Sequence, residues 1–238
     1  MSQLPKKAMI LAAGLGKRMR PAAGDLPKPL VEVGGRALID RALDRLIEAG
    51  VDSVIVNLHY KKEIIKAHLR KRNDVHIEFS DESDLLLDTG GGIAKALPFF
   101  EGEPFITHNS DSIWLEGMDS SIRRLGNHWD PDAMDALMLL APTTTSLGYD
   151  GRGDFDMDAL GRLLRRELSR VAAFAWAGVQ IIHPRLFEDA PQPPFSTNVL
   201  WDRAIENGRL YGLRHEGVWM HVGSPDGLAR AGELLSAA

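Results

Sequence analysis

Hydrophobic and polar positions along the first part of the chain alternate between two rhythms: short apolar runs, and longer stretches with apolar residues three and four apart. Residues 8–13 are an apolar run of strand length. Leu38, Ile39, Ala42, Leu43, Leu46 and Ile47 then recur at helical spacing, and Gly50 stands where a helix would end. Residues 53–58 read as a strand, 61–72 as a helix with Ile64, Ile65, His68 and Leu69 inward, and 75–80 as another strand. A helix opens at 88–93, and strand, helix and strand follow at 104–108, 118–129 and 136–141. This alternation predicts an α/β fold with a mostly parallel central sheet, right-handed crossovers, and ligands bound beyond the carboxyl ends of the strands.

After residue 141 the rhythm changes. Residues 142–153 are loop-like, 154–157 and 161–166 suggest a hairpin turning at 158–161, and 172–182 is strand-like. A proline-rich turn at 191–194 precedes helical spacing at 198–206, closed by Gly208. In Val218-Trp219-Met220-His221-Val222-Gly223-Ser224-Pro225, Ser224 suits an N-cap and Pro225 a first helical residue, so a strand should end there at a helix start. No linker or low-complexity segment divides the chain. One domain over 1–238 is expected, with a nucleotide-binding part at about 1–141 and a smaller hairpin or lid part at about 142–238.

Composition narrows the function classes. A 238-residue chain with 44% hydrophobic and 26% charged residues is that of an ordinary globular protein able to bury a large core. The formal charge of −5 argues against a general nucleic-acid binder, which presents a net basic surface. With no cysteine, disulfides, thiolate metal sites and a cysteine nucleophile are excluded, which fits a cytoplasmic protein. The apolar run behind Lys6 and Lys7 is too short for a signal peptide, and 171–182 falls short of the ~20 residues that span a bilayer. No membrane association is expected.

The chemistry concentrates behind the first strand. Ala13-Gly14-Leu15-Gly16-Lys17-Arg18, with Arg20 and the box Pro27-Lys28-Pro29-Leu30 close behind, joins a tight glycine turn to several cations. Glycine lets backbone N–H groups approach an anion, and lysine and arginine neutralise adjacent phosphates. A P-loop needs Ser or Thr after its Gly-Lys pair, where this chain has Arg18, and a dinucleotide fingerprint needs a glycine where Met19 stands. A triphosphate remains the ligand that suits Ala13, Gly14, Gly16, Lys17, Arg18 and Lys28. Asp111, at the carboxyl end of the strand at 104–108, is a hard oxygen donor suited to Mg²⁺ held together with phosphate and water. Three glycines, Gly90 to Gly92, at a helix start leave room for a planar ring and N–H groups to read its edge, which makes Gly90 and Gly91 candidate nucleotide contacts. Seven histidines other than His221 show no zinc spacing, and the five tryptophans form no stacking ladder.

The run from Leu11 to Leu30 resembles the signature of sugar-1-phosphate nucleotidyltransferases. Asp88-Thr89-Gly90-Gly91-Gly92-Ile93, Gly153-Asp154-Phe155 and Trp176-Ala177-Gly178, in this order, resemble the N-acetylmuramate-1-phosphate uridylyltransferases of cell-wall recycling. The resemblance implies a Rossmann-like sheet, a nucleoside triphosphate (UTP) and a sugar-1-phosphate as substrates, and Mg²⁺, or Mn²⁺, as cofactor. It implies catalytic roles for Arg18, Lys28 and Asp111, and sugar-phosphate contacts for Asn109, Asp154, Gly178 and Asn198. For Asp154 a hairpin-turn role stands beside the sugar contact, and for the segment of Asn198 helix capping does.

Two positions depart from the family pattern. Ser110 replaces the glycine usual before the aspartate, and His221 stands where a second metal-binding aspartate is usual. Imidazole suits Mn²⁺ or Zn²⁺ better than Mg²⁺, so His221 binds a metal, touches a phosphate, or only packs. A guanylyl- or other nucleotidyltransferase acting on mannose- or heptose-1-phosphate shares the same loop chemistry. A non-catalytic nucleotide-sugar sensor is the reading from another class. A monomer or a small homo-oligomer fits the sequence equally.

Overall fold

A computed structural model describes residues 4–16 and 26–237. In its first half, β1 (Lys7–Leu11), β2 (Glu32–Val33), β3 (Arg36–Ala37), α1 (Leu38–Ala49), β4 (Ser53–Leu58), α2 (Lys62–Leu69) and β5 (His76–Asp81) are followed by α3 (Asp88–Phe100) and β6 (Phe105–Asn109). Then come β7 (Ser112–Leu115), α4 (Ser121–His128), β8 (Ala136–Pro142), β9 (Phe155–Met157), β10 (Leu163–Arg165) and β11 (Phe174–Ile182). The chain ends with α5 (Asn198–Glu206), β12 (Leu210–Arg214), β13 (Val218–His221) and α6 (Pro225–Ala237).

The sheet order runs β10-β9-β11-β6-β1-β4-β5, with β8 joining β11 and β12 joining β8. Strands β6, β1, β4 and β5 are mutually parallel, as the helix-strand alternation predicts. Beyond β6 the sheet turns mixed, because β11 runs antiparallel to both β6 and β8. The second half of the chain therefore extends the same sheet, with the antiparallel β9–β10 hairpin at its edge, while β13 pairs with β7 in a separate two-stranded sheet, as β2 does with β3.

Each face of the sheet is covered by helices whose spacing was legible. On one face α1 contributes Ile39, Ala42, Leu43 and Leu46, α2 Ile65 and Leu69, and α4 Ile122 and Leu125. On the other, α3 brings Ile93, Ala96 and Phe100, and α5 brings Leu200, Trp201 and Ala204. Gly50 ends α1 in the left-handed region at φ 104°, which a residue with a Cβ adopts at a cost, so this stop signal works as the sequence suggests. At the start of α6 the Ser224 hydroxyl accepts the Gly227 N–H at 3.2 Å, the expected N-cap.

The short β2–β3 pair and two further strands, β7 and β12, escaped the sequence pattern. β7 begins only three residues after β6, and its partner β13 lies near the far end of the chain, with His221 in register opposite Ser112. β12 is short and pairs in parallel with β8. Neither carries a period of its own, because pairing and not patterning creates it. Among the described residues no helix is long and apolar enough to cross a membrane.

Candidate active site

The chain passes from β1 outward to β4 and β5, then returns to the other side of β1 to make β6. Where the order reverses, the two crossovers leave on opposite faces, and a crevice opens beyond the carboxyl ends of β1 and β6. A cleft of about 640 Å³ occupies that place, lined among others by Ala12, Ala13, Gly14, Gly16, Lys28, Asn57, Glu82, Asn109, Ser110 and Asp111.

The cation and the carboxylate singled out in the sequence meet here. Pro27 and Pro29 bracket Lys28 at the head of a one-turn 3₁₀ helix, Lys28–Leu30, whose Pro29 and Leu30 are buried. With its neighbours anchored, the Lys28 side chain reaches across the cleft and its ammonium bonds the Asp111 carboxylate. Gly16 has φ +57°, and a Cβ on it would stand 3.0 Å from the Lys28 Cβ, so glycine is needed for both reasons. Among the described residues no atom lies within 4 Å of where a Cβ on Gly14 would be. Lys17 and Arg18 lie outside the described residues. Ser110 is not among the residues with positive φ, so the aspartate follows without a glycine and without backbone strain, and the Ser110 N–H donates to Leu11 O at 3.1 Å.

A second polar feature, missed in the sequence, forms the cleft floor. The Asn57 side chain accepts the Ala12 N–H at 2.8 Å and donates through Nδ2 to Glu82 Oε1 at 2.7 Å. Asn57 and Glu82 are buried in protein, yet both line the cleft. Their signal was available. Asn57 is a polar residue inside the apolar run of β4, and Glu82 follows β5 directly; both positions are at carboxyl ends of parallel strands.

The three-glycine segment is placed differently from expectation. Gly90 and Gly91 are buried in the first turn of α3 and are not among the cleft-lining residues. A Cβ on Gly90 would stand 2.4 Å from the Phe195 ring, one on Gly91 would stand 3.0 Å from Pro193, and one on Gly92 would stand 2.8 Å from Glu82 Oε1. The Gly91 N–H already donates to Phe195 O at 3.1 Å, so it is not free to read a base edge. These glycines admit a protein loop and the Asn57–Glu82 pair.

On the far side of Asp111, Asn109 is half-buried at the end of β6 and Gly178 lies beside it. Gly178 has φ +84°, and a Cβ on it would stand 1.8 Å from Ser112 Oγ and 3.1 Å from Asn109 Nδ2. Asp154 is half-buried and its carboxylate accepts the Trp176 N–H at 2.9 Å. Asn198, exposed at the start of α5, accepts from Arg165 at 3.0 Å and donates to Ser196 Oγ at 3.1 Å. Asn109 and Gly178 are thus brought together, and Asn198 is held apart on the Arg165 side. The His221 ring packs 5.9 Å from Tyr149 and 5.7 Å from Trp219. Behind Asp111, fully buried His108 stacks on Trp114 at 5.4 Å with Nδ1 2.7 Å from Asn109 O, which makes Nδ1–H the donor. Burial lowers its pKa to about 4, so it is neutral near pH 7.

Residues 7–149 match the family model described as nucleotidyl transferase. The chain belongs to the nucleotidyl transferase family. Over the full length of both chains it is 44% identical to an N-acetylmuramate alpha-1-phosphate uridylyltransferase of Caulobacter vibrioides. It is 32% identical to the Neisseria meningitidis protein of the same name, over 97% of this chain and 99% of that one. Among solved structures, the inositol-1-phosphate CTP transferase from T. maritima superposes with a TM-score of 0.80 at 16% identity, covering 99% of this chain and 97% of that one. At that identity the likeness shows the fold. In this nucleotidyl transferase the cleft at the β1–β6 switch point holds the Lys28–Asp111 pair.

Proposed function

We propose that the protein transfers a uridylyl group from UTP to N-acetylmuramate-1-phosphate, giving the nucleotide-sugar and pyrophosphate. The observation that carries this reading is the meeting of Lys28 and Asp111 in the cleft behind the glycine turn, in a chain 44% identical over its whole length to a uridylyltransferase of that specificity.

An oxygen of the sugar phosphate attacks the α-phosphorus in line, a P–O bond forms, and the bond to the β-phosphate oxygen breaks with its electron pair leaving on pyrophosphate. A phosphate monoester is already ionised, so no general base is required. Alignment and neutralisation of the charge on the leaving oxygens carry the rate. Lys28 neutralises charge at the α-phosphate and on the incoming phosphate, and the Gly14–Gly16 turn takes the leaving side; Arg18, which lies outside the described residues, serves there by the family resemblance. Asn109, against Gly178, is placed to orient the sugar phosphate.

Family members generally use a divalent metal ion. Asp111 fits one, since it offers hard carboxylate oxygens in the cleft lining. Asp111 would hold Mg²⁺ with phosphate oxygens and water completing its shell, and the ion supplies positive charge to the phosphates when bound. Purified protein given each triphosphate in turn with Mg²⁺ and N-acetylmuramate-1-phosphate should form a uridine nucleotide-sugar by mass, with pyrophosphate released. Faster product formation from GTP and mannose-1-phosphate would overturn the substrate assignment.

A further inference from the structure

β11 loses its register with β8 between Trp176 and Gln180, pairs with β6 only from Val179 onward, and meets β9 only at Phe174. Residues 177–179 thus stand opposite Leu139 alone in a bulge that opens directly after Trp176, and backbone groups in it and at its edge that find no strand partner need others. Side chains supply them. The Trp176 N–H donates to Asp154 Oδ2 at 2.9 Å. Trp219 Nε1–H donates to Ala177 O at 3.2 Å, and Trp176 Nε1–H donates to Val179 O at 3.2 Å.

The two outside partners, Asp154 and Trp219, are joined to each other. Tyr149 accepts the Gly153 N–H on its hydroxyl at 3.1 Å, and its ring meets Trp219 edge-on at 5.7 Å. The bulge is therefore enclosed by a bracket running from Asp154 through Tyr149 to Trp219. At its apex Gly178 presses on Ser112 and Asn109, the residues flanking Ser110 and Asp111.

Resting on the uridylyl-transfer reading, we infer that Asp154 is a positioning residue for the sugar phosphate: by holding the Trp176 N–H it sets the height of the Gly178 bulge against Asn109, and so the place where the sugar lies beside Asp111. One oxygen of its carboxylate is engaged with the protein's own backbone, which is a different task from binding a sugar hydroxyl. The partner it acts through is the bulge, and the triphosphate end of the cleft does not touch it. Loss of Asp154 should therefore separate the two substrates.

The Asp154→Ala and Asp154→Asn variants test this, with NMR of the ligand-free protein and kinetics measured together. Removing a charge-assisted hydrogen bond should raise KM for the sugar-1-phosphate about tenfold or more, with KM for UTP changed less than about twofold. In the ligand-free Ala variant the backbone amide signals of Trp176 and Gly178 should shift. The Asn variant keeps an oxygen acceptor and should restore both the signals and KM. Unmoved amide signals with a weakened sugar KM would overturn the inference in favour of direct sugar contact. An equal rise in KM for both substrates would overturn it in favour of general destabilisation. The two readings fail separately. A wild-type protein that made no nucleotide-sugar from any pairing would defeat the uridylyl-transfer reading, while the ligand-free amide signals would still decide whether Asp154 holds the bulge.

Discussion

Two glycine segments look alike in the sequence and do opposite work in the fold. Gly14 and Gly16 border the cleft, with open space around Gly14 and the Lys28 stem against Gly16. Gly90 to Gly92 are buried, each with protein where a Cβ would go: the Phe195 ring, Pro193, and the Asn57–Glu82 pair. Among the described residues, the first segment leaves open space at the cleft. The second keeps room for the protein itself, and by doing so fixes the cleft floor. A missing side chain therefore signals close approach without saying who approaches.

The sharpest separation of the two regions comes from Lys28→Ala. Removing the cation that faces Asp111 should lower kcat about 100- to 1000-fold with the fold retained by circular dichroism, as for loss of one preorganised charge-stabilising group. An unchanged turnover would remove Lys28 from the reaction.

Stability should instead answer to the wall behind the cleft. His108 has its pKa lowered by burial to about 4 from an ordinary 6.5, so as pH falls the unfolded chain takes up the proton first. Its contribution is complete above about pH 6.5 and is lost between there and about pH 4, amounting to roughly 3 kcal/mol. Denaturant unfolding from pH 7 down to 4.5 should show this fall in wild type, and a shallower one in His108→Gln.

Gly90→Ala tests the packed segment. In an ordinary helix this change stabilises by about 1 kcal/mol, but a methyl group 2.4 Å from the Phe195 ring should reverse the sign and destabilise by about 1–3 kcal/mol. A raised melting temperature would show that the Pro193–Phe195 loop yields easily, and the comparison between the two segments would weaken.

Gly14→Ala should have the smallest effect. With no atom of the described residues within 4 Å of the new methyl group and no positive φ, the unfolding midpoint should stay within about 0.5 kcal/mol of wild type. KM for the triphosphate should rise several-fold, about 1 kcal/mol, if the space there belongs to the ligand. An unchanged KM would mean that the phosphates lie elsewhere.

Legibility followed the same division. α1 and the strands at the sheet centre were readable because each buries a continuous face, and burial leaves a period of 3.6 or an apolar run in the residues themselves. Lys28 and Asp111 were readable as candidates because a proline-flanked lysine and an aspartate at a strand end are local signals, and the fold brings the two together in the cleft. Asn57 and Glu82 stand out as polar residues at strand ends, but what they face is not local; only the parallel pairing of β4 with β1 and β5 sets them side by side.

By itself, then, the sequence determined the alternation of the main strands and helices, the glycine turn after β1, the helix stop at Gly50 and the helix start at Ser224, all of which depend on residues a few positions apart. Tertiary structure decided that Gly90 to Gly92 receive a protein loop, that Asp154 holds backbone at the β11 bulge, and that β7 finds β13 across the chain. These depend on partners distant in sequence, and a residue's own chemistry states what it can bond without stating which partner the fold will bring.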